Sequence, residues 1–337
     1  MKSVQSGNVT LSIIIVNYNS EKFIGDCLES IVKYADVPCE IIIVDNGSTD
    51  GSAGTVRKFI ERECGGKSTR SNKNENIKTV CIFKTGKNTG FAFAANAGAE
   101  KAAGDYLLFL NPDCVFFTKG LGNLLMFYKD RETNIKTGAV GAKIINMDGS
   151  LQYSCRAFIT LARQFYESFF FDRVFKGSKI FGAYFMRWWN HDDIRQVDWL
   201  SGALMLISAA AFKEIGEFDR SYFMYSEDTD ICFRLSEKGY KNYYYPFFSV
   251  KHHDAGIASS NQPLRDMQIW KSRRIYFKKN YSAAYAKMFS FLYFMFIFNR
   301  LILFTVASLF GTINSNYKIR ARHYLKTLQL YFGAEIK

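Results

Sequence analysis

The sequence predicts an α/β fold, a doubly wound sheet flanked by helices and followed by a basic, apolar helical extension. Three observations predict it. Short β-branched runs alternate with helix-period segments through the first third of the chain. Those runs are apolar throughout, as strands buried on both faces are. The charge is also unevenly placed: residues 1–233 contain 27 basic and 27 acidic side chains, while 234–337 contain 17 and 4, so the whole net +13 lies in the last part.

LSIIIV (11–16) and EIIIVD (40–45) read as the first two strands, with Phe23, Cys27, Leu28 and Ile31 at helical spacing between them. ERECGGKSTRSNKNENIK (61–78) is polar and reads as a surface excursion. TVCIF (79–83) is a third strand, GFAFAANAGAEKAAG (90–104) a helix of small residues able to pack closely on the sheet, and DYLLFL (105–110) a fourth strand. Residues 150–196 are aromatic and carry no clear period. VDWLSGALMLIS (197–208) reads as a strand or strand pair followed by the helix AAFKEIG, and EDTDICFRLSEKG (227–239) as a helix with an acidic first turn and a closing glycine.

Beyond WKSRRIYFKKNY (270–281), two apolar runs, 288–298 and 301–313, are separated by Asn299 and Arg300. Each is shorter than the roughly 20 residues a membrane span needs, and joining them puts Arg300 near the bilayer centre. The pattern predicts helices lying in an anionic membrane surface, with basic flanks on the headgroups; the alternative is a helical hairpin packed on the sheet domain or on a second copy.

With 48% apolar residues the chain is ordinary for a globular protein, but 32 Phe and 20 Tyr make it unusually aromatic. The seven cysteines are scattered without CxxC or zinc spacing, several inside apolar runs where Cys acts as a small hydrophobe. The first residues, MKSVQSGNVT, lack a signal-peptide apolar core, and a reducing, cytoplasmic setting is expected. Neither GxGxxG nor a P-loop is present. Nucleic-acid binding would account for the basic charge but not for the polar clusters described next, and no nucleic-acid partner is expected.

Polar residues collect at strand ends: NYNS (17–20), DNGSTDGS (45–52), KNTGFAFAAN (87–96) and NPD (111–113) follow four successive strands. That edge is where α/β sheets bind nucleotides. Taken singly, each reads as a turn or a helix cap. Their shared placement is what points to a site. Asp113 ends an apolar run, and a carboxylate there requires a partner, whether a turn, a base or a metal ion. Glu227 and Asp228 open a helix, where acidic groups suit the dipole, and His252-His253 follows FFSV.

The ordered set VNYN, VDNGSTDGS, NTGFAFAAN, LNPD, WLSGA, EDTD and a late histidine resembles the inverting family 2 glycosyltransferases of GT-A fold, over about residues 10–282. It is closest to the rhamnosyltransferase-like branch, in which LNPD stands where DxD is commoner. The resemblance implies a GT-A domain over 1–282, a nucleotide-binding Rossmann-like mixed sheet flanked by helices, with a nucleotide-binding half at about 10–115, an acceptor half at about 116–282, and a helical tail over 283–337. It implies that Asn17 and Asn19 shape the nucleotide pocket, that Asp45 hydrogen-bonds the pyrimidine, and that Asn88 and Gly90 approach the donor. Asp113 is implied as the ligand of Mg²⁺ or Mn²⁺ on the donor diphosphate, with Asn111 beside it and His252 as late ligand, its register ambiguous with His253. Asp228 is implied as the general base, with Glu227 orienting it or the acceptor, and Trp199, Ser201 and Gly202 as lining the acceptor pocket.

These roles fit the chemistry: a divalent ion on hard oxygen ligands offsets the charge of a departing diphosphate, and one carboxylate takes the acceptor proton. Two departures stand out. Asn111 is neutral, and the QxxRW signature of processive synthases is missing around Gln268–Arg273. The expected activity is transfer of a single sugar, L-rhamnose from a dTDP donor, onto a lipid-linked or cell-surface glycan by an enzyme peripheral to the inner membrane face, with a homodimer as a further expectation. A UDP-hexose or UDP-N-acetylhexosamine donor, or an inactive nucleotide-sugar-binding scaffold, are the alternatives.

Overall fold

The computed structural model describes residues 10–64, 74–253, 261–310 and 315–335. In chain order the elements are β1 (Leu11–Asn17), α1 (Glu21–Tyr34), β2 (Cys39–Asp45), α2 (Ser52–Cys64), β3 (Ile77–Lys84), α3 (Phe91–Glu100), β4 (Tyr106–Leu110), β5 (Cys114–Phe116), α4 (Leu121–Glu132), β6 (Thr137–Ile145), β7 (Leu151–Gln152) and β8 (Cys155–Arg156). They continue with α5 (Leu161–Ser168), α6 (Phe171–Val174), β9 (Arg195–Val197), β10 (Trp199–Leu200), β11 (Leu204–Ser208), α7 (Ala209–Glu214), α8 (Glu227–Glu237), β12 (Lys241–His252), α9 (Gln262–Asn280), α10 (Ala283–Phe310) and α11 (Ser315–Glu335). Two compact units interleave along the chain. The first comprises Met1–Arg156, His191–Phe223 and Glu227–Gly256, and the second Ala157–Asn190, Met224–Ser226 and Ile257–Lys337.

The first unit is built on a sheet ordered β3-β2-β1-β4-β11-β6-β12-β5, with β7 on β6 and β9 on β12. β1 runs parallel to both β2 and β4, and β2 parallel to β3. From β11 onward the sheet becomes mixed, because β11 is antiparallel to β4 and β6, and β5 to β12. Every residue of β1 and β2 is buried, which is why their sequences are unbroken apolar runs rather than alternating ones. The two polar exceptions inside these strands are paired: the Ser12 hydroxyl donates to Glu40 at 2.6 Å. The small residues of α3 let it lie close on the sheet, since a Cβ on Gly98 would fall 2.6 Å from Ile14 Cγ2.

The structure corrects several local readings. Residues 61–64 close helix α2 and 77–78 begin β3, while 65–73 of the expected excursion lie outside the described residues. The turn-like GSAGT start of α2 hid the helix. It is held by buried Val56, Phe59 and Ile60, and the Asp50 carboxylate accepts the Ser52 N–H at 3.0 Å. Residues 197–208 form not one or two strands but contributions to three, β9, β10 and β11.

In the second unit, Asn299 and Arg300 do not separate two helices. Residues 288–298 and 301–310 of the two apolar runs belong to one helix, α10, and 311–313 lie outside the described residues. The Arg300 side chain is 1% exposed. Its guanidinium donates to the Glu167 carbonyl at 3.0 Å and the Phe296 carbonyl at 3.3 Å, and it lies over the Phe170 and Phe296 rings at 4.6 and 3.6 Å. Asn299 donates to the Ser168 carbonyl at 3.0 Å. The charge that breaks the apolar pattern is thus absorbed by carbonyls and aromatic faces within the unit.

Candidate active site

All the polar residues singled out at strand ends belong to the first unit. Asn17 and Asp45 end β1 and β2 in direct register. The Asn17 amide donates to Asp45 Oδ1 at 3.2 Å and to the Ser48 and Ser52 hydroxyls at 3.0 Å, and accepts the Ser20 hydroxyl. Asn17 is fully buried, so it acts by holding Asp45 and the 48–52 turn in place. Asn19, at φ 47°, accepts the Thr49 N–H at 2.7 Å and fixes the same turn from its other side.

The third strand end is tied to the second by Asn46, which sequence reasoning left as a turn residue. Its Oδ1 accepts from Thr85 Oγ1, Thr89 N and Thr89 Oγ1, and its Nδ2 donates to Asn88 Oδ1 and the Gly90 carbonyl at 3.2 Å. Gly90 sits at φ 84°, and a Cβ there would lie 2.3 Å from the Phe223 carbonyl oxygen, which accepts the Phe91 N–H at 2.8 Å. Only glycine fits this corner.

At the fourth strand end, Asp113 Oδ1 lies 3.1 Å from His252 Nε2, the last residue of β12. The adjacent His253 points elsewhere, packing on Phe23 at 5.0 Å, so the register falls on His252. His252 Nδ1 is 2.7 Å from Gln152 Oε1 on β7. A carboxamide oxygen only accepts, so this contact fixes an N–H on Nδ1 and aims Nε2 at the Asp113 carboxylate. Asn111 Nδ2 lies 3.4 Å from the same Nε2. Cys114 completes a close triplet with Asp113 and His252, but its thiol points at the Ala203 carbonyl at 3.3 Å and burial pushes its pKa well up, so it remains protonated. A carboxylate and an imidazole fit a divalent ion.

Gly202 and Ala203 join this turn to the acidic pair. The Ala203 carbonyl accepts the Asn111 N–H at 3.0 Å, and the Gly202 N–H donates to Asp228 Oδ2 at 3.2 Å. Thr229 N–H donates to Asp228 Oδ1 at 2.7 Å. Burial raises the Asp228 pKa, opposed by these amides and by the nearby Arg156 guanidinium. Glu227 is buried with Oε2 unpartnered among the described residues; burial, then the Asp228 charge, pushes it well above the carboxylate range. Glu227 therefore holds a proton more tightly than Asp228, which is the member better placed to ionise. Tyr225 and Ser226, at φ 67° and 65°, precede it in left-handed conformation, a strain that clusters at active sites. The second Asp of EDTD serves the fold: Asp230 pairs with Arg234 at 2.7 Å and accepts the Tyr222 hydroxyl at 3.1 Å.

Trp199 is buried under the Arg156 guanidinium at 5.1 Å, across the β8–β10 pair. Ser201 N–H donates to the Ser154 carbonyl at 2.7 Å. Sequence reasoning missed Asn46, Gln152 and Arg156. Gln152 and Arg156 lie in short strands where no period marks the chain.

The family model for glycosyl transferase family 2 matches residues 12–191. The chain belongs to glycosyl transferase family 2. The model for glycosyl transferase family group 2 also matches residues 151–328 of this glycosyltransferase. Relatives include the N-acetylglucosaminyl-diphospho-decaprenol L-rhamnosyltransferase of Mycobacterium tuberculosis (strain ATCC 25618 / H37Rv), 28% identical over 265 residues that cover 73% of this chain and 76% of that protein. The rhamnosyltransferase WbbL of Escherichia coli (strain K12) is 29% identical over 253 residues, 72% of this chain and 82% of that one. Among solved structures, the mannosyltransferase PcManGT from Pyrobaculum calidifontis, in complex with GDP-Man and Mn²⁺, superposes with a TM-score of 0.55 at 14% identity, covering 96% of this chain and 86% of that one. The glycosyltransferase thus has the GT-A fold and relatives in the rhamnosyltransferase branch, as its motifs predict.

Proposed function

We propose that this glycosyltransferase is inverting and metal-dependent, and that it moves a single L-rhamnose from dTDP-rhamnose onto a lipid-linked glycan at the inner face of the membrane. The observation that supports the mechanism best is the 202–203 segment, which holds Asp228 through one backbone group and the Asn111 turn through the next. It binds the base and the diphosphate-facing turn to one piece of chain. The relatives named rhamnosyltransferases, one of them for a lipid-diphosphate-linked acceptor, support the donor and acceptor class.

In this reading Asp45, whose described contacts use Oδ1, offers Oδ2 to the pyrimidine N–H. Asp113 and His252 hold Mg²⁺ or Mn²⁺, which when bound offsets the charge gathering on the leaving diphosphate. Asp228 accepts the acceptor hydroxyl proton as that oxygen attacks the anomeric carbon from the face opposite the diphosphate. Neutral Glu227 adds no charge to the pocket and leaves Asp228 as the one ionised base. Trp199, Ser201 and Gly202 border the acceptor.

The test is purified enzyme with dTDP-rhamnose and a polyprenyl-diphosphate-linked N-acetylhexosamine, with and without EDTA. Release of dTDP only with metal, and a product of inverted anomeric configuration by NMR, is the expected result. Equal turnover of UDP-hexoses removes the donor assignment; retention of configuration removes the mechanism.

A further inference from the structure

The second unit carries 18 Lys and Arg against 4 Asp and Glu, so it holds the chain's net positive charge. It also carries most of the large apolar side chains left exposed among the described residues. On α10 these follow a pattern. Phe289, Tyr293, Ile297, Arg300 and Phe304 are buried at intervals of three or four, forming one stripe against the unit. The opposite stripe is equally apolar but uncovered: Met288 is 52% exposed, Phe291 56%, Phe298 39%, Ile302 47% and Leu309 77%. The patch continues onto α11, because Phe294 stacks on Phe298 at 5.7 Å and meets Phe332 at 5.9 Å. Exposed Lys287 on α10, and Lys318, Arg322 and Lys326 on α11, lie on the same two helices.

We infer that the outer stripe of α10 is a lipid-docking face, lying in the plane of an anionic membrane surface while the basic side chains of the unit engage the headgroups. This deepens the peripheral location proposed above. By length and composition, residues 283–309 qualify to cross a bilayer. The inner stripe argues against crossing, since Arg300, Asn299 and the Ser168 hydroxyl on the Leu292 carbonyl bind α10 along one side to α5. A helix covered on one side and apolar on the other has the form of an interfacial helix. Charge selects lipid over a second copy: a symmetric contact would oppose two strongly basic units, whereas an anionic leaflet complements them.

The experiment is flotation of the full chain with phosphatidylcholine vesicles, with or without about 30 mol% phosphatidylglycerol. The comparison is with the double variant Phe291→Glu/Ile302→Glu. Wild type is expected to float with anionic vesicles, to be released by alkaline carbonate, and to bind them at least roughly tenfold better than the variant. Unaltered flotation of the variant, no flotation of wild type, carbonate resistance, or a wild-type dimer that the variant dissociates each overturns the inference. Hydrolysis of dTDP-rhamnose in solution is measured in parallel. Its retention by the variant shows an intact fold, and a variant that loses both readouts is replaced by the milder Ile302→Ser/Leu309→Ser, judged by the same criteria. Flotation without donor turnover in wild type removes the donor assignment and leaves the docking face standing.

Discussion

Replacing Asp228 by Asn tests the assignment of the base most directly. The carboxylate receives N–H groups on both oxygens, from Gly202 at 3.2 Å and Thr229 at 2.7 Å. Asn keeps the shape but has one accepting oxygen, so one backbone donor loses its partner. That local loss costs on the order of 1 kcal/mol of stability, a fall in Tm of roughly 2–4 °C for a domain of this size. The catalytic loss is larger: general-base assistance is worth about a hundred- to ten-thousandfold, or roughly 2.7–5.4 kcal/mol of barrier. The variant's kcat is expected to fall by that factor while KM for the donor stays within about twofold, since Asp228 serves the acceptor side. The pH profile gives a second readout. Burial raises the Asp228 pKa, and the base works ionised, so the wild-type rate falls as pH drops through a pKa raised from the ordinary Asp value. The variant lacks that limb. A dTDP-release assay from pH 5 to 9 reads both, and an Asn variant that keeps more than about a tenth of wild-type turnover, or the same acid limb, refutes the assignment.

Three further outcomes follow from the geometry. Gln152→Leu removes the acceptor that orients His252, and Mn²⁺ affinity in the presence of dTDP, followed by EPR, is expected to weaken about 10–100-fold; unchanged affinity would show that the Asp113 contact alone sets the ring. Gly90→Ala forces a left-handed residue at about 1–2 kcal/mol and pushes a methyl into the Phe223 carbonyl, so Tm should drop by at least roughly 4 °C and donor KM should rise. Glu227→Gln acts through pH. A carboxyl whose folded pKa is raised contributes most stability below the ordinary carboxylate range and loses it as pH rises toward the raised value. The Gln variant should therefore match wild type in urea midpoint near pH 4 and exceed it near pH 8; an equal difference at both pH values would point to packing instead.

The parallel half of the sheet was legible because its strands are buried on both faces and its motifs sit directly at their ends. Asn17, Asp45, Asn88 and Asp113 each follow an apolar run, and local pattern alone puts them on one edge. What pattern does not show is a contact made across the chain. Gln152 reaches His252 from a strand of two residues, and Arg156 reaches Trp199 through a pairing equally short. No period of two or 3.6 is visible in so few residues. The tail misled for the opposite reason. Its pattern was strong, but Arg300 reads as an interruption between two apolar runs, whereas the Glu167 carbonyl of α5 and the Phe170 ring, far away in sequence, take it inside. The acidic pair shows both effects: EDTD announced a helix start, but only the folded chain separates the more readily ionised Asp228 from Glu227 and structural Asp230.

The neutral Asn111 then has a consequence for how the proposed ion is held. A second carboxylate about 4 Å from a divalent ion would contribute several kcal/mol of attraction even at an effective dielectric of about 20. Asn111 forgoes it. Its amide lies 3.4 Å from His252 Nε2, and its backbone N–H ties the turn to Ala203. With one carboxylate and one imidazole, the proposed site supplies less negative charge than a two-carboxylate site would. In the proposed mechanism the diphosphate would bring the missing charge, and metal and donor would each raise the other's affinity by the same factor. In that scheme, loss of dTDP after transfer would weaken the hold on the ion as well.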